Sequence, residues 1–120
     1  MSAIPKRIVQ CVLNRDGHRC VINAPGCQIV ATDADHRVGR GMGGNAVLNV
    51  HEALVACCRP CNSAKEDDAD VAADCERRGI KIRRSQSTRK DLARCREKVV
   101  VYPSGRRFRL TAEGTREAVA

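Results

Sequence analysis

Eight cysteines in a chain of 120 residues limit what this sequence can fold into more than any other feature. The chain has one Phe, one Tyr and no Trp, so it can bury little large apolar surface. A domain with so small a core usually needs a disulfide or a metal ion to hold it together. Because we find no long apolar run and no secretory signal, we expect a cytoplasmic protein without a membrane span. Its thiols would then stay reduced, and paired cysteines are expected to bind metal.

Four of the cysteines form two pairs, Cys20 and Cys27 with six residues between them and Cys58 and Cys61 with two. Two intervening residues let one tight turn aim both sulfurs at a single ion, and Pro25-Gly26 can loop out the extra residues of the wider pair. We predict a structural Zn²⁺ ion bound by these four thiolates. The remaining cysteines are interpreted as small buried hydrophobic residues, although Cys57 competes with its neighbour Cys58 for the ligand position.

The positive charge is concentrated in one segment. Thirteen of the 22 lysines and arginines lie in residues 76–109, which contain only three acidic residues. Such a segment indicates a polyanionic partner, nucleic acid rather than membrane, because no apolar face accompanies it. A merely solvated basic surface is the alternative. The nucleic-acid contacts predicted within this segment are Arg83, Arg84, Arg89 and Lys90.

Local patterns predict a mixed α and β chain. Apolar residues at helical spacing predict a helix over 4–15 that Gly17 ends, and the basic segment 87–98 also has a helical pattern. The other predicted elements are a strand over 28–33, a helix starting at Ser63 and ending before Gly79, and a β-hairpin over 99–110. Residues 47–56 fit either a short strand or a helical turn, and 80–82 fit a strand.

Five features occur in order along residues 15–68. They are Arg15-Asp16-Gly17, the first cysteine pair, Asp35-His36 with a downstream Gly-Gly, the second cysteine pair, and Asn62 followed three residues later by Lys65. Alone, an Asp-His dipeptide also fits a solvated loop. Together the five features resemble the HNH endonuclease family in its zinc-bearing form, and the glycine-rich loop and basic C-terminal part resemble the small HNH proteins of phages.

The resemblance implies an α+β fold with a ββα-metal, treble-clef-like core carrying both cysteine knuckles. Residues 1–75 would form the nuclease core, and residues 76–120 would form a basic helix and hairpin extension that contacts DNA. The resemblance also implies that His36 is the general base and that Asp35 and Asn62 hold a catalytic Mg²⁺ or Mn²⁺ ion. The nearby cations Arg37, Arg40 and Lys65 would contact phosphates, with double-stranded DNA as the substrate in a bacterial or phage-infected cytoplasm.

The sequence departs from the family at one position. The family's middle asparagine normally stands about where Ala53 lies, and its side chain fixes the loop that carries the catalytic histidine. Asn49 and Asn45 lie nearby and could replace it from a shifted loop; without such a replacement the site would be weakly active or vestigial. We expect Asn49 to compensate. Two rival functions need no nuclease site: a zinc-ribbon module that only binds nucleic acid, and an accessory factor for phage packaging that docks other proteins.

Overall fold

The computed structural model describes residues 3–39 and 46–120, and it is an α+β fold. The helices and strands follow one another along the chain as α1 (Lys6–Arg15), β1 (Asp33–His36), β2 (Leu54–Cys57), α2 (Arg59–Asp67), α3 (Ala69–Arg77), α4 (Thr88–Glu97), β3 (Val100–Val101), β4 (Arg107–Leu110) and β5 (Arg116–Val119). Two short 3₁₀ turns, Ala46–Leu48 and His51–Ala53, precede β2. Within the described residues, no helix has the length and apolar character needed to cross a membrane.

The first and last of the three predicted helices are confirmed as α1 and α4, and the bounds of the middle one are wrong. Helix α1 buries Ile8 and Val12 and ends before Gly17. In place of one helix from Ser63, the chain forms two helices: α2 begins earlier, at Arg59, and α3 follows it. Asp68 interrupts the helical path, and its carboxylate accepts hydrogen bonds from the Asp70 and Val71 amides at the start of α3.

The strand predicted over 28–33 is wrong in position. Strand β1 begins only at Asp33, and it pairs antiparallel with β2 so that Asp35 faces Val55 and His36 faces Leu54. The β-branched run before it is bent, since Ile29 has a φ of +70°, and it makes only an isolated bridge between Arg19 and Val30. The turn through the first cysteine pair therefore overrides the strand propensity of this run.

The predicted C-terminal hairpin is confirmed as β3 and β4. A third strand, β5, which the sequence pattern does not predict, pairs with β4 and completes the sheet order β3-β4-β5. Residues 80–82 do not form a regular strand and contribute only a bridge from Ile82 to Val38.

The segments 1–75 and 76–120 share one hydrophobic core. A single buried cluster includes Val12 and Leu54 from the first segment and Ile80, Val100 and Phe108 from the second. The basic C-terminal part is thus a structural half of the domain, and its sheet packs into the same core as the β1–β2 hairpin.

Candidate functional site

Four cysteines converge as the sequence predicts. The Sγ atoms of Cys20, Cys27, Cys58 and Cys61 all lie within 4.8 Å of one another, and those of Cys27 and Cys58 are 3.9 Å apart. Tetrahedral ligation with metal–sulfur bonds of about 2.3 Å requires sulfurs about 3.8 Å apart, whereas a disulfide requires about 2.0 Å. The four thiols can therefore hold a metal ion such as zinc.

Backbone amides donate hydrogen bonds to three of these sulfurs, and each such bond favours the thiolate form. The amides of Ala24, Gln28 and Ile29 donate to the sulfurs of Cys61, Cys58 and Cys27, at 3.4, 3.4 and 3.3 Å. Cys58 stands at the N-terminus of α2 and Cys61 lies in its first turn, where helix amides favour anions. Burial raises the pKa of Cys58, but hydrogen bonds from the Gln28 and Cys61 amides and with the Cys61 and Cys20 thiols together outweigh it and bring the pKa to about 7. Burial raises the pKa of Cys20 and of Cys61.

The competition between Cys57 and Cys58 is resolved in favour of Cys58. Cys57 is the last residue of β2 and is fully buried, and it is not part of the four-sulfur group. Burial raises its pKa strongly, with the charges of Asp35 and other acidic groups acting in the same direction. A thiol in such surroundings stays protonated, as expected for a core residue.

Asp35 and His36 end strand β1, and helix α2 packs against them through Lys65. The Lys65 Nζ atom lies 2.6 Å from Asp35 Oδ2 and donates to the backbone carbonyl of His36 at 2.7 Å. Asn62 stands one turn earlier in α2, on the same face as Lys65. Burial raises the pKa of the Asp35 carboxyl, although the Lys65 ammonium opposes this shift.

The His36 ring contacts Asn49, the residue expected to replace the family's middle asparagine. His36 Nε2 and Asn49 Oδ1 are 2.8 Å apart, and Asn49 Nδ2 donates to the Ala3 carbonyl at 3.4 Å. Ala53 is fully buried, and its carbonyl accepts the Arg37 amide instead. The structure thus brings Asn49, and not position 53, to the histidine.

Two predicted phosphate ligands are wrong, because Arg37 and Lys65 are buried. Arg37 is 0% exposed and Lys65 is 2% exposed, so neither can reach a phosphate. The Arg37 guanidinium donates to four backbone carbonyls, those of Gly79, Glu52, Cys95 and Lys98, at 2.9, 2.8, 2.5 and 3.0 Å. Burial lowers the pKa of Arg37 to about 10, so the guanidinium remains charged at neutral pH.

The other predicted nucleic-acid ligands lie in the basic segment. The side chains of Arg83, Arg84, Arg89 and Lys90 are exposed, and Arg83 has an ion pair with Glu76 at 3.8 Å. Arg40 and Asn45 lie outside the described residues. Exposure leaves the four basic side chains accessible to a polyanion.

Asp16, to which the sequence patterns assign no role, organises the back of the site. Its carboxylate is buried and accepts hydrogen bonds from Arg15, the Ala56 amide and the Tyr102 hydroxyl. Arg15 also donates to the carbonyls of His51 and Leu54. The sequence signal for this residue is the Arg-Asp pair at the end of the predicted helix. In the structure the pair lies where α1, β2 and the C-terminal sheet meet.

Comparison with protein-family models, with curated proteins and with solved structures finds no match to this chain.

Proposed function

We propose that this chain is a metal-dependent endonuclease of the HNH type that hydrolyses DNA phosphodiester bonds and carries a structural zinc ion. The proposal is supported by the order β1, β2, α2, with an Asp-His pair on the first strand and Asn62 and Lys65 on the helix. The observation that carries it is the hydrogen bond between His36 and Asn49, because it gives the histidine the orienting amide that Ala53 lacks.

In this proposal His36 takes the proton from the attacking water. The Oδ1 atom of Asn49 can only accept a hydrogen bond, so His36 Nε2 carries the hydrogen, an orientation supported by the bond from Asn49 Nδ2 to Ala3. In a neutral imidazole the basic nitrogen is then Nδ1. Imidazole is the side chain that most often serves as a general base in enzymes.

Asp35 and Asn62 would hold the catalytic cation. The Oδ2 atom of Asp35 is buried, and its partner is the Lys65 ammonium at 2.6 Å. A carboxylate and an amide oxygen are hard donors, which fit Mg²⁺ or Mn²⁺ better than they fit zinc. When bound, such a cation stabilises negative charge on the phosphate and on the leaving oxygen. Lys65 is then a positioning residue that orients the Asp35 carboxylate.

The zinc ion in the proposal has a structural role. All four candidate ligands are thiols, and a four-sulfur tetrahedron leaves no position for water or substrate. The cluster lies at the start of α2, where Cys61 immediately precedes Asn62 and stands one helical turn before Lys65. The metal would therefore fix the helix that presents Asn62 and Lys65 to strand β1.

The test is a supercoiled-plasmid cleavage assay on zinc-loaded protein with added Mg²⁺ or Mn²⁺. We compare His36→Asn with His18→Asn, since His18 is exposed and asparagine tolerates its positive φ of 58°. We expect His36→Asn to reduce the cleavage rate by about 10²–10⁴-fold and His18→Asn to leave it unchanged. Equal cleavage by the two variants, or DNA binding without cleavage by the wild type, would refute the nuclease and favour a zinc-dependent binding module.

A further inference from the structure

A second basic site lies on the opposite edge of β2 from the Asp35–His36 pair. A cavity of about 630 Å³ separates the turn of the first cysteine pair from the turn between β3 and β4. Strand β1 occupies one edge of β2, whereas at the other edge Ala56 bonds to Val21 and Asp16 behind this cavity. The cavity is therefore separate from the proposed catalytic residues. The cations that line it are Arg19, Arg106 and Arg116.

The chain's two aromatic residues hold two of these arginines in place. The Arg116 Cζ atom lies 4.2 Å from the centre of the Phe108 ring and 4.6 Å from that of Tyr102. The Arg106 Cζ atom lies 5.0 Å from the Phe108 ring centre. A guanidinium stacked on a ring keeps its in-plane N–H groups available as donors. Stacking also restricts the side chain before binding, so less conformational entropy is lost when an anion binds.

Among the described residues, these three arginines have no ion-pair partner. Within the described parts of the chain, none of the three arginines has a carboxylate oxygen within 4.0 Å. The acidic residue in the cavity wall is Asp16, which is buried and already paired with Arg15, the Tyr102 hydroxyl and a backbone amide. Three guanidiniums around one open cavity favour an anionic ligand with several oxygens.

We infer that this cavity, which we call the arginine cleft, binds consecutive phosphates of a nucleic-acid backbone. Guanidinium groups match phosphate oxygens in pairs, and the half-exposed Ile29 beside the cleft offers an apolar surface to the adjoining sugar or base. The inference rests on the nucleic-acid partner of the proposed function, but it does not depend on cleavage. It adds an anchor for the DNA on a face that the exposed basic residues of the 83–90 segment do not form.

The test compares two double variants that each remove two positive charges from the same sheet. Arg106→Gln/Arg116→Gln removes the two stacked arginines of the cleft. Arg107→Gln/Arg109→Gln is the matched control, because these side chains are exposed on the other face of β4. We measure the affinity of zinc-loaded protein for a fluorescent DNA duplex by anisotropy, over a range of salt concentrations and without Mg²⁺ or Mn²⁺.

We expect the cleft variant to reduce the slope of log K against log salt by about two and to weaken binding roughly tenfold to a hundredfold at 0.1 M salt. The control should lose much less. Because the stacked arginines also cover the two rings, Arg19→Gln provides a variant without that structural role, and it should reduce the slope by about one. Equal slopes for both double variants, together with an unchanged slope for Arg19→Gln, would overturn the inference. Wild-type protein that binds but does not cleave would refute the nuclease and leave the cleft supported.

Discussion

The sequence prediction and the structure disagree most about Arg37. The sequence pattern predicts that it contacts a phosphate, whereas in the structure its guanidinium is fully buried and donates to four backbone carbonyls. These carbonyls belong to the second 3₁₀ turn, the turn after α3 and the end of α4. Arg37→Met keeps an unbranched apolar stem and removes every donor, so its effects on stability and on DNA binding separate the two roles.

The size of the effect follows from the four hydrogen bonds that the substitution removes. A hydrogen bond to a charged group makes a net contribution of about 1.5–3 kcal/mol, so four independent bonds would contribute roughly 6–12 kcal/mol. These four are not independent, because a single guanidinium makes them all, and removing one partner of a buried charged network costs about 3–5 kcal/mol. We therefore expect a net loss of about 3–5 kcal/mol in the free energy of unfolding, a large fraction of the roughly 5–15 kcal/mol of an ordinary domain.

Urea denaturation of zinc-loaded protein, followed by circular dichroism, measures this loss as a lower midpoint. Arg89→Met is the control, because Arg89 is an exposed cation of α4 and its removal should change stability by less than about 0.5 kcal/mol. The reasoning fails if Arg37→Met has the same urea midpoint as Arg89→Met and instead reduces the salt dependence of DNA binding. That result would place the guanidinium on a phosphate.

Three further predictions follow from the metal cluster, the orienting asparagine and one backbone turn. Cys61→Ser should lose zinc and unfold the domain, since structural zinc contributes on the order of 10 kcal/mol to folding, whereas Cys57→Ser should retain one zinc by elemental analysis. A Cys61→Ser protein that is folded and free of zinc would contradict this prediction. Asn49→Ala should lower plasmid cleavage by roughly a hundredfold without changing zinc content, and an unaltered rate would remove its orienting role. Gly79→Ala should destabilise the fold by at least about 1–3 kcal/mol in urea titrations, because Gly79 has a φ of +76° and a Cβ there would lie 2.1 Å from the Val99 carbonyl oxygen; wild-type stability would show that the turn can relax.

Features that depend on neighbouring residues are predictable from the sequence. The spacing of the cysteines identifies the four-sulfur group, and periodicity or turn residues identify α1, α4 and the β3–β4 hairpin. The strand before Asp35 is predicted too early, because the β-branched run at 29–30 has the composition of a strand. Its conformation is instead set by the amide of Ile29, which bends toward the Cys27 sulfur.

Features that depend on distant parts of the chain are not predictable in this way. Lysine and arginine are rarely buried, so the sequence pattern assigns Arg37 and Lys65 to the surface. Their burial becomes favourable only when carbonyls or carboxylates from separate segments converge on one cation, and no local pattern contains that information. Strand β5 escapes prediction for the same reason, since its four residues show little alternation and become a strand by pairing with β4.

Buried and partly buried cations supply much of the connectivity that aromatic residues would give in another domain of this size. Arg78 donates to the carbonyls of Val21 and Ile22 and to that of Val101, which joins the cysteine turn to the C-terminal sheet. Lys65 and Arg37 fix the backbone around His36 in a similar way. The His36 carbonyl accepts a hydrogen bond from Lys65, and the side chain of the next residue, Arg37, is buried in the core. The backbone of the proposed base is therefore held by the interactions that hold the fold. In the proposed nuclease, Asn49 would only have to orient the ring of a residue whose main chain is already fixed, a task that one amide hydrogen bond can perform.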